Sequence, residues 1–181
     1  MGKLKVRVSL PRGEQSYGKK MMFDGAVRFY AKEIMGSRLA NLCKIKVHIR
    51  KFVSKRKGAN VGGYVAMNPT GSKRQRVFKI TLNAHHDTVT NMRILAHEMI
   101  HVKQKAKDEA QWRYNEKTNI LMVRWKNNAP VKHDEIPYRE RPWEVEAYAL
   151  QDKYYTSYIT MLSKDKAVQE RLRKEEKCQT Q

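Results

Sequence analysis

A chain of 181 residues and 21.3 kDa is long enough for one compact core and short of the length at which cores divide. Its 40% hydrophobic and 31% charged residues are ordinary globular usage and exclude wholesale disorder. The charge is not ordinary, with 38 Lys and Arg against 18 Asp and Glu for a net +20, and with 16 basic but only 3 acidic side chains in the first 60 residues.

The opening MGKLKVRVSLPRGEQ has no apolar run of the kind a signal peptide needs, and no stretch approaches the ~18 apolar residues of a membrane span. A soluble, cytoplasmic protein with no membrane partner is expected. Residues 1–20 read as an N-terminal arm, with MGKLKVRVSL open between a short edge strand and an arm and PRGEQSYGKK as loop. From Met21 to Leu42, apolar residues at Met22, Ala26, Val27, Tyr30, Ala31, Ile34, Met35 and Leu39 have helical spacing.

CKIKVHIRKFV then alternates Ile45, Val47 and Ile49 with Lys44, Lys46, His48 and Arg50, the period of a strand with one wet, basic face. VSKRKGANVGG reads as turn or loop, Tyr64 to Met67 as a second strand, NPTGSKRQR as a turn and VFKITLN as a third strand. AHHDTVTN leads into the helix NMRILAHEMIHVKQKAK, with Thr88 or Thr90 as N-cap and Asp87 as a competing cap.

Residues 119–126, NILMVRWK, read as a further strand, followed by a loop ending at Pro142, a residue suited to a helix start. Trp143 to Leu162 has helical spacing again. Residues 164–181 form a charged helix fading into a polar tail, which leaves 21–163 as the domain proper. Cys43 and Cys178 are far apart, one of them in the tail, and define neither a disulfide framework nor a Cys-rich metal site.

The chemistry concentrates in His97-Glu98-Met99-Ile100-His101. On a helix, residues four apart project from one face, so His97 and His101 can bring two imidazole nitrogens to one ion at ~2.0–2.1 Å. Glu98, ~100° round the helix, sits near such an ion without being first in line for it, and from there can take a proton from water and return it to a leaving amine. A catalytic zinc site needs a third protein ligand, and the candidates downstream are His133, Glu135, Glu140, Glu144 and Glu146. The segment PWEVEAYA favours a glutamate. Glu144 and Glu146 lie ~200° apart round a helix, so only one can face the metal, and residue chemistry leaves them level.

HEMIHVKQ followed by RPWEVEAYA resembles the SprT-like and phage-encoded zincins of the gluzincin group, in which HExxHxxQ precedes a PWExEA segment. In order of elements the resemblance covers about residues 21–155; its specific motifs are these two short segments. It implies a metallopeptidase, specifically an endopeptidase, that holds Zn2+ on His97, His101 and the first glutamate of the ExEA pattern, Glu144, with Glu146 second and Glu98 as general base. The phage members place such a protein in the host cytoplasm or within a virion. The fold implied is α+β and minimally zincin-like, with a short mixed sheet packed on the HExxH helix and a second helix supplying the third ligand.

A substrate cleft is expected along the last strand before the motif helix, where a peptide can add to the sheet edge. Where several gluzincins carry Asp or Asn four residues after the ligand, this chain has Tyr148, a candidate for orienting a histidine or polarising the substrate carbonyl. Tyr138 and His133 are rival oxyanion donors. Gln104 is either a brace for the site or a surface amide, and His85 and His86 read as the turn into the helix.

Lys44, Lys46, Arg50, Lys51, Lys55, Arg56 and Lys57 form a run without an acid, and Lys73, Arg74, Arg76 and Lys79 follow. If these strands are neighbours, they make one positive face for sequence-nonspecific nucleic acid or an acidic protein. The alternative function is therefore a basic nucleic-acid-binding or virion-associated structural protein that keeps a zincin fold without protease activity.

Overall fold

The computed structural model describes residues 3–14, 16–52, 62–67, 76–165 and 170. Among these residues the fold is α+β, with a four-stranded mixed sheet, a three-stranded sheet and four helices.

Strand β1 (Lys5–Ser9) pairs in parallel with β2 (Cys43–Arg50), so the segment left open between strand and arm is a sheet edge. Helix α1 (Tyr17–Met35) starts ahead of the expected Met21 because the Ser16 hydroxyl accepts the Lys19 N–H at 3.2 Å. It stops at Gly36, whose φ of 77° ends the helix and whose N–H donates to the Lys32 carbonyl. The single helix expected to Leu42 is thus two, α1 and the short α2 (Ser37–Ala40).

Strand β2 is buried at Cys43, Ile45, Val47 and Ile49, as its alternation predicts. Strand β3 (Gly63–Met67) runs antiparallel to β4 (Arg76–Asn83), β4 runs parallel to β2, and the order is β1-β2-β4-β3. Helix α3 (Thr88–Ala106) carries the motif, and its cap is Asp87, with Oδ1 accepting the Thr90 N–H at 2.7 Å and Oδ2 accepting the Thr90 hydroxyl at 2.9 Å. Thr88 and Thr90 therefore lie inside the helix.

Three more strands form the second sheet: β5 (Ala110–Asn115), β6 (Ile120–Trp125) and β7 (Val131–Lys132). Of these only β6 is expected from sequence. In β5 a single residue, Ala110, is buried, and β7 is two exposed residues, so neither shows an alternation. Helix α4 (Pro142–Lys164) begins on Pro142 as expected. Of the tail beyond Asp165, only Glu170 is described, and it is helical.

Helices α1 and α3 cover one face of the first sheet. Phe23, Val27, Tyr30, Met92, Leu95 and Met99 bury against Ile45, Val47, Phe78, Ile80 and Leu82. Helix α4 lies on α3 and reaches α1 through Tyr158, whose hydroxyl donates to the Met22 carbonyl at 2.8 Å. A smaller cluster of Ala110, Val123, Trp125 and Trp143 ties the second sheet to the first turn of α4 and so fixes where Glu144 sits. Among the described residues, no helix is long and apolar enough to cross a membrane.

Candidate metal centre

The N-terminal turn of α4 packs beside the middle of α3 and brings Glu144 to the two motif histidines. The Glu144 Oε2 lies 3.3 Å from the His97 Nε2 and 3.4 Å from the His101 Nε2, and the two Nε2 atoms are 3.1 Å apart. All three side chains are buried. Among the described residues, this is the one group of three or more His, Cys, Asp or Glu side chains whose ligand atoms converge.

Partners fix a proton on the Nδ1 of His101. The Gln104 side-chain Nε2 donates to the Trp143 carbonyl at 2.9 Å and to the Glu146 carboxylate at 2.8 Å, so its Oε1 must face the His101 Nδ1, at 2.8 Å, and accept a proton from it. The His97 Nδ1 lies 3.0 Å from the Gln151 Oε1, to which it donates in the tautomer matching that of His101. In the neutral imidazoles both Nε2 atoms then carry lone pairs. With both imidazoles neutral, these lone pairs and the buried Glu144 Oε2 put three acceptors around one point. Such a group needs a cation. Tetrahedral ligands at ~2.0–2.1 Å from a zinc ion lie about 3.3–3.4 Å from each other, close to the spacings found here, so the donor set fits a zinc-sized ion.

Without a metal, the same closeness couples these groups as acid and base. Burial alone would raise Glu144, but the facing His101 and His97 outweigh it and hold its carboxyl well below the usual carboxylate range. Burial would lower His101, and Glu144 and Glu98 reverse this, leaving its imidazole raised. Glu98 is pushed up, by burial first and by Glu144, with His101 and His97 pulling the other way. That places Glu98 within electrostatic reach of all three and in the direction a general base requires.

Glu146 is occupied elsewhere. It takes Lys103 at 3.2 Å and the Gln104 amide, with Lys126 at 3.8 Å. Lys103 also holds Glu109 at 2.7 Å. Gln104 is fully buried and is the brace rather than a surface amide. Tyr148 packs its ring edge-on against His97, with centroids 4.7 Å apart, but the hydrogen bond that orients His97 comes from Gln151. Gln151 is not singled out from the sequence, although its place seven residues after Glu144 on α4, hence on the same face, is a usable signal.

Tyr138 is half-exposed at the rim, its phenol pushed up by burial, by the Glu144 charge and by Tyr148. His133 stacks on Trp143 and turns its Nδ1 to Asp134 at 2.9 Å, Glu135 pairs with Lys132 at 2.7 Å, and Glu140 is exposed; none joins the metal group. His85 and His86 form the turn into α3.

The expected cleft along β4 needs correction, because β4 is interior and the edge strand on that side is β3. A Cβ on Gly63 would come within 2.8 Å of Ile94 Cγ2 and 3.1 Å of the Thr81 carbonyl, so the glycine lets β3 lie close against α3. Ile94 is one turn before Glu98.

Comparison of the chain with protein-family models, curated proteins and solved structures finds no match.

Proposed function

We propose that the protein is a zinc-dependent endopeptidase of the SprT-like, gluzincin kind, with the ion held by His97, His101 and Glu144. The observation that carries this is the convergence of two imidazole nitrogens and a carboxylate oxygen at tetrahedral spacing with Glu98 beside them. A bound zinc ion supplies a lowered water pKa and a polarised substrate carbonyl. Glu98 takes the proton of the attacking water on its carboxylate and delivers it to the leaving amine nitrogen. Tyr138, protonated and at the rim, is the donor for the charge that develops on the carbonyl oxygen. The free edge of β3 receives an extended peptide by strand addition. The cytoplasm of a host cell, or the interior of a virion, is the setting the motifs suggest.

Glu98→Gln tests the proposal. Zinc should be retained while cleavage disappears from a proteome-wide peptide screen, and unchanged cleavage would overturn it. A second function, nucleic-acid binding with the metal as a structural staple, is favoured by one observation, the cation-lined face of the first sheet. It predicts binding that survives Glu98→Gln and no cleavage of any substrate.

A further inference from the structure

The first sheet has two unlike faces. One is buried under α1 and α3; on the other, among the described residues, no helix packs. Strand register sets Arg7, Lys46 and Lys79 in one row across three neighbouring strands. Lys5 and Lys44 form the row before it, and Arg50 continues the array along β2. All six side chains are exposed, and among the described residues none is in an ion pair. The four strands contain no Asp or Glu. His48 sits half-buried among these cations, its imidazole pushed down by burial and then by Lys79, Lys46, Arg50 and Arg7, which the strand alternation and register put on its side of the sheet.

Cations about 5 Å apart across strands and about 7 Å apart along them match a densely charged polyanion, and a duplex carries one charge per ~1.7 Å of axis. The face offers no ladder for single-strand stacking. Among the described residues Tyr64 is its one exposed aromatic, tied to Arg50 at 3.0 Å and packed on Phe52. It also lacks the apolar or aromatic anchors that centre a protein interface. We propose that this face binds the phosphate backbone of double-stranded nucleic acid without sequence preference, on the side of the sheet opposite the metal centre. The proposal stands on the sheet face alone and holds under either function of the metal site. Lys55, Arg56 and Lys57 lie outside the described residues and are not needed for it.

The test is a fluorescence-anisotropy titration of a random-sequence DNA duplex over a salt series. Six phosphate contacts predict an affinity falling about 10³-fold between 50 and 200 mM salt. The variant R7E/K46E/K79E should bind more weakly with a log–log salt slope shallower by about three, and the single variants R7Q, K46Q and K79Q by about one each. An equal charge change on the β5–β6 hairpin, R113E/K117E/R124E, should leave the slope in place. In the wild type, the His48 imidazole pKa followed by NMR should rise on duplex binding, as phosphates offset the four cations. Peptide cleavage by R7E/K46E/K79E should match wild type, which separates this outcome from that of the peptidase proposal. No duplex binding at 50 mM salt, an unchanged slope in R7E/K46E/K79E and in the single variants, no His48 shift, or tighter binding of poly-glutamate or single-stranded DNA would overturn it.

Discussion

Glu144 and Glu146 are two residues apart on one helix and have different partners: Glu144 faces the Nε2 atoms of His97 and His101, and Glu146 faces Lys103 and Gln104. Both glutamates therefore bear on the metal site, one directly and one through the chain from Glu146 to Gln104 to His101. Removing outer partners of a metal ligand typically weakens metal affinity 10–100-fold. Glu146→Gln and Gln104→Ala should each do so, measured by competition with a chromophoric zinc chelator, while still binding one equivalent; affinities equal to wild type would show that the brace is idle. From sequence, the two histidines and Glu98 are legible because the i, i+4 spacing carries its own geometry. The choice between the glutamates is not, since it depends on which side of α4 the Trp143 cluster turns inward.

At the scale of elements, α3 owes its start to Asp87 and its close approach to β3 to Gly63. Asp87→Ala should cost about 1 kcal/mol in chemical denaturation, the usual loss of a helix cap. Gly63→Val should cost about 1–3 kcal/mol, because the added side chain meets Ile94 and the Thr81 carbonyl, and the zinc site should be retained. A Gly63→Val protein as stable as wild type would mean that β3 does not lie against α3 as described. Strands β2 and β4 are readable in the sequence because half or more of each is buried in alternation or in a run. Strand β5 is not, because it is held by hairpin pairing with β6 and buries little of its own. The break between α1 and α2 rests on one glycine in a left-handed conformation, which an apolar period does not register.

For the whole molecule, the metal site couples stability to pH. Without metal, His101 is raised above its ordinary 6.5, so its pairing stabilises the fold fully below about 6.5 and is lost as pH rises through the raised value. Glu144 is depressed, so its contribution is present above its ordinary 4.5 and is lost on acidification; Glu98, raised by burial, is penalised as it ionises above 4.5. His101 and Glu144 together favour the metal-free protein most between about pH 4.5 and 6.5, Glu98 subtracts from this above 4.5, and the sum falls further as pH increases. Zinc needs deprotonated imidazoles and so binds more strongly over that same rise. The difference in Tm between zinc-loaded and chelator-treated protein should therefore widen from pH 6 to 8, and a constant difference would contradict the coupling. The same molecule presents a buried, acceptor-lined centre on one side of its sheet and an open cationic face on the other, which lets the two be tested separately. The most direct measurement is the zinc-to-protein ratio, by elemental analysis, of wild type, Glu144→Ala and Glu146→Gln purified side by side. One equivalent in wild type and Glu146→Gln with loss in Glu144→Ala is the predicted result; zinc kept by Glu144→Ala, or none in wild type, would contradict it.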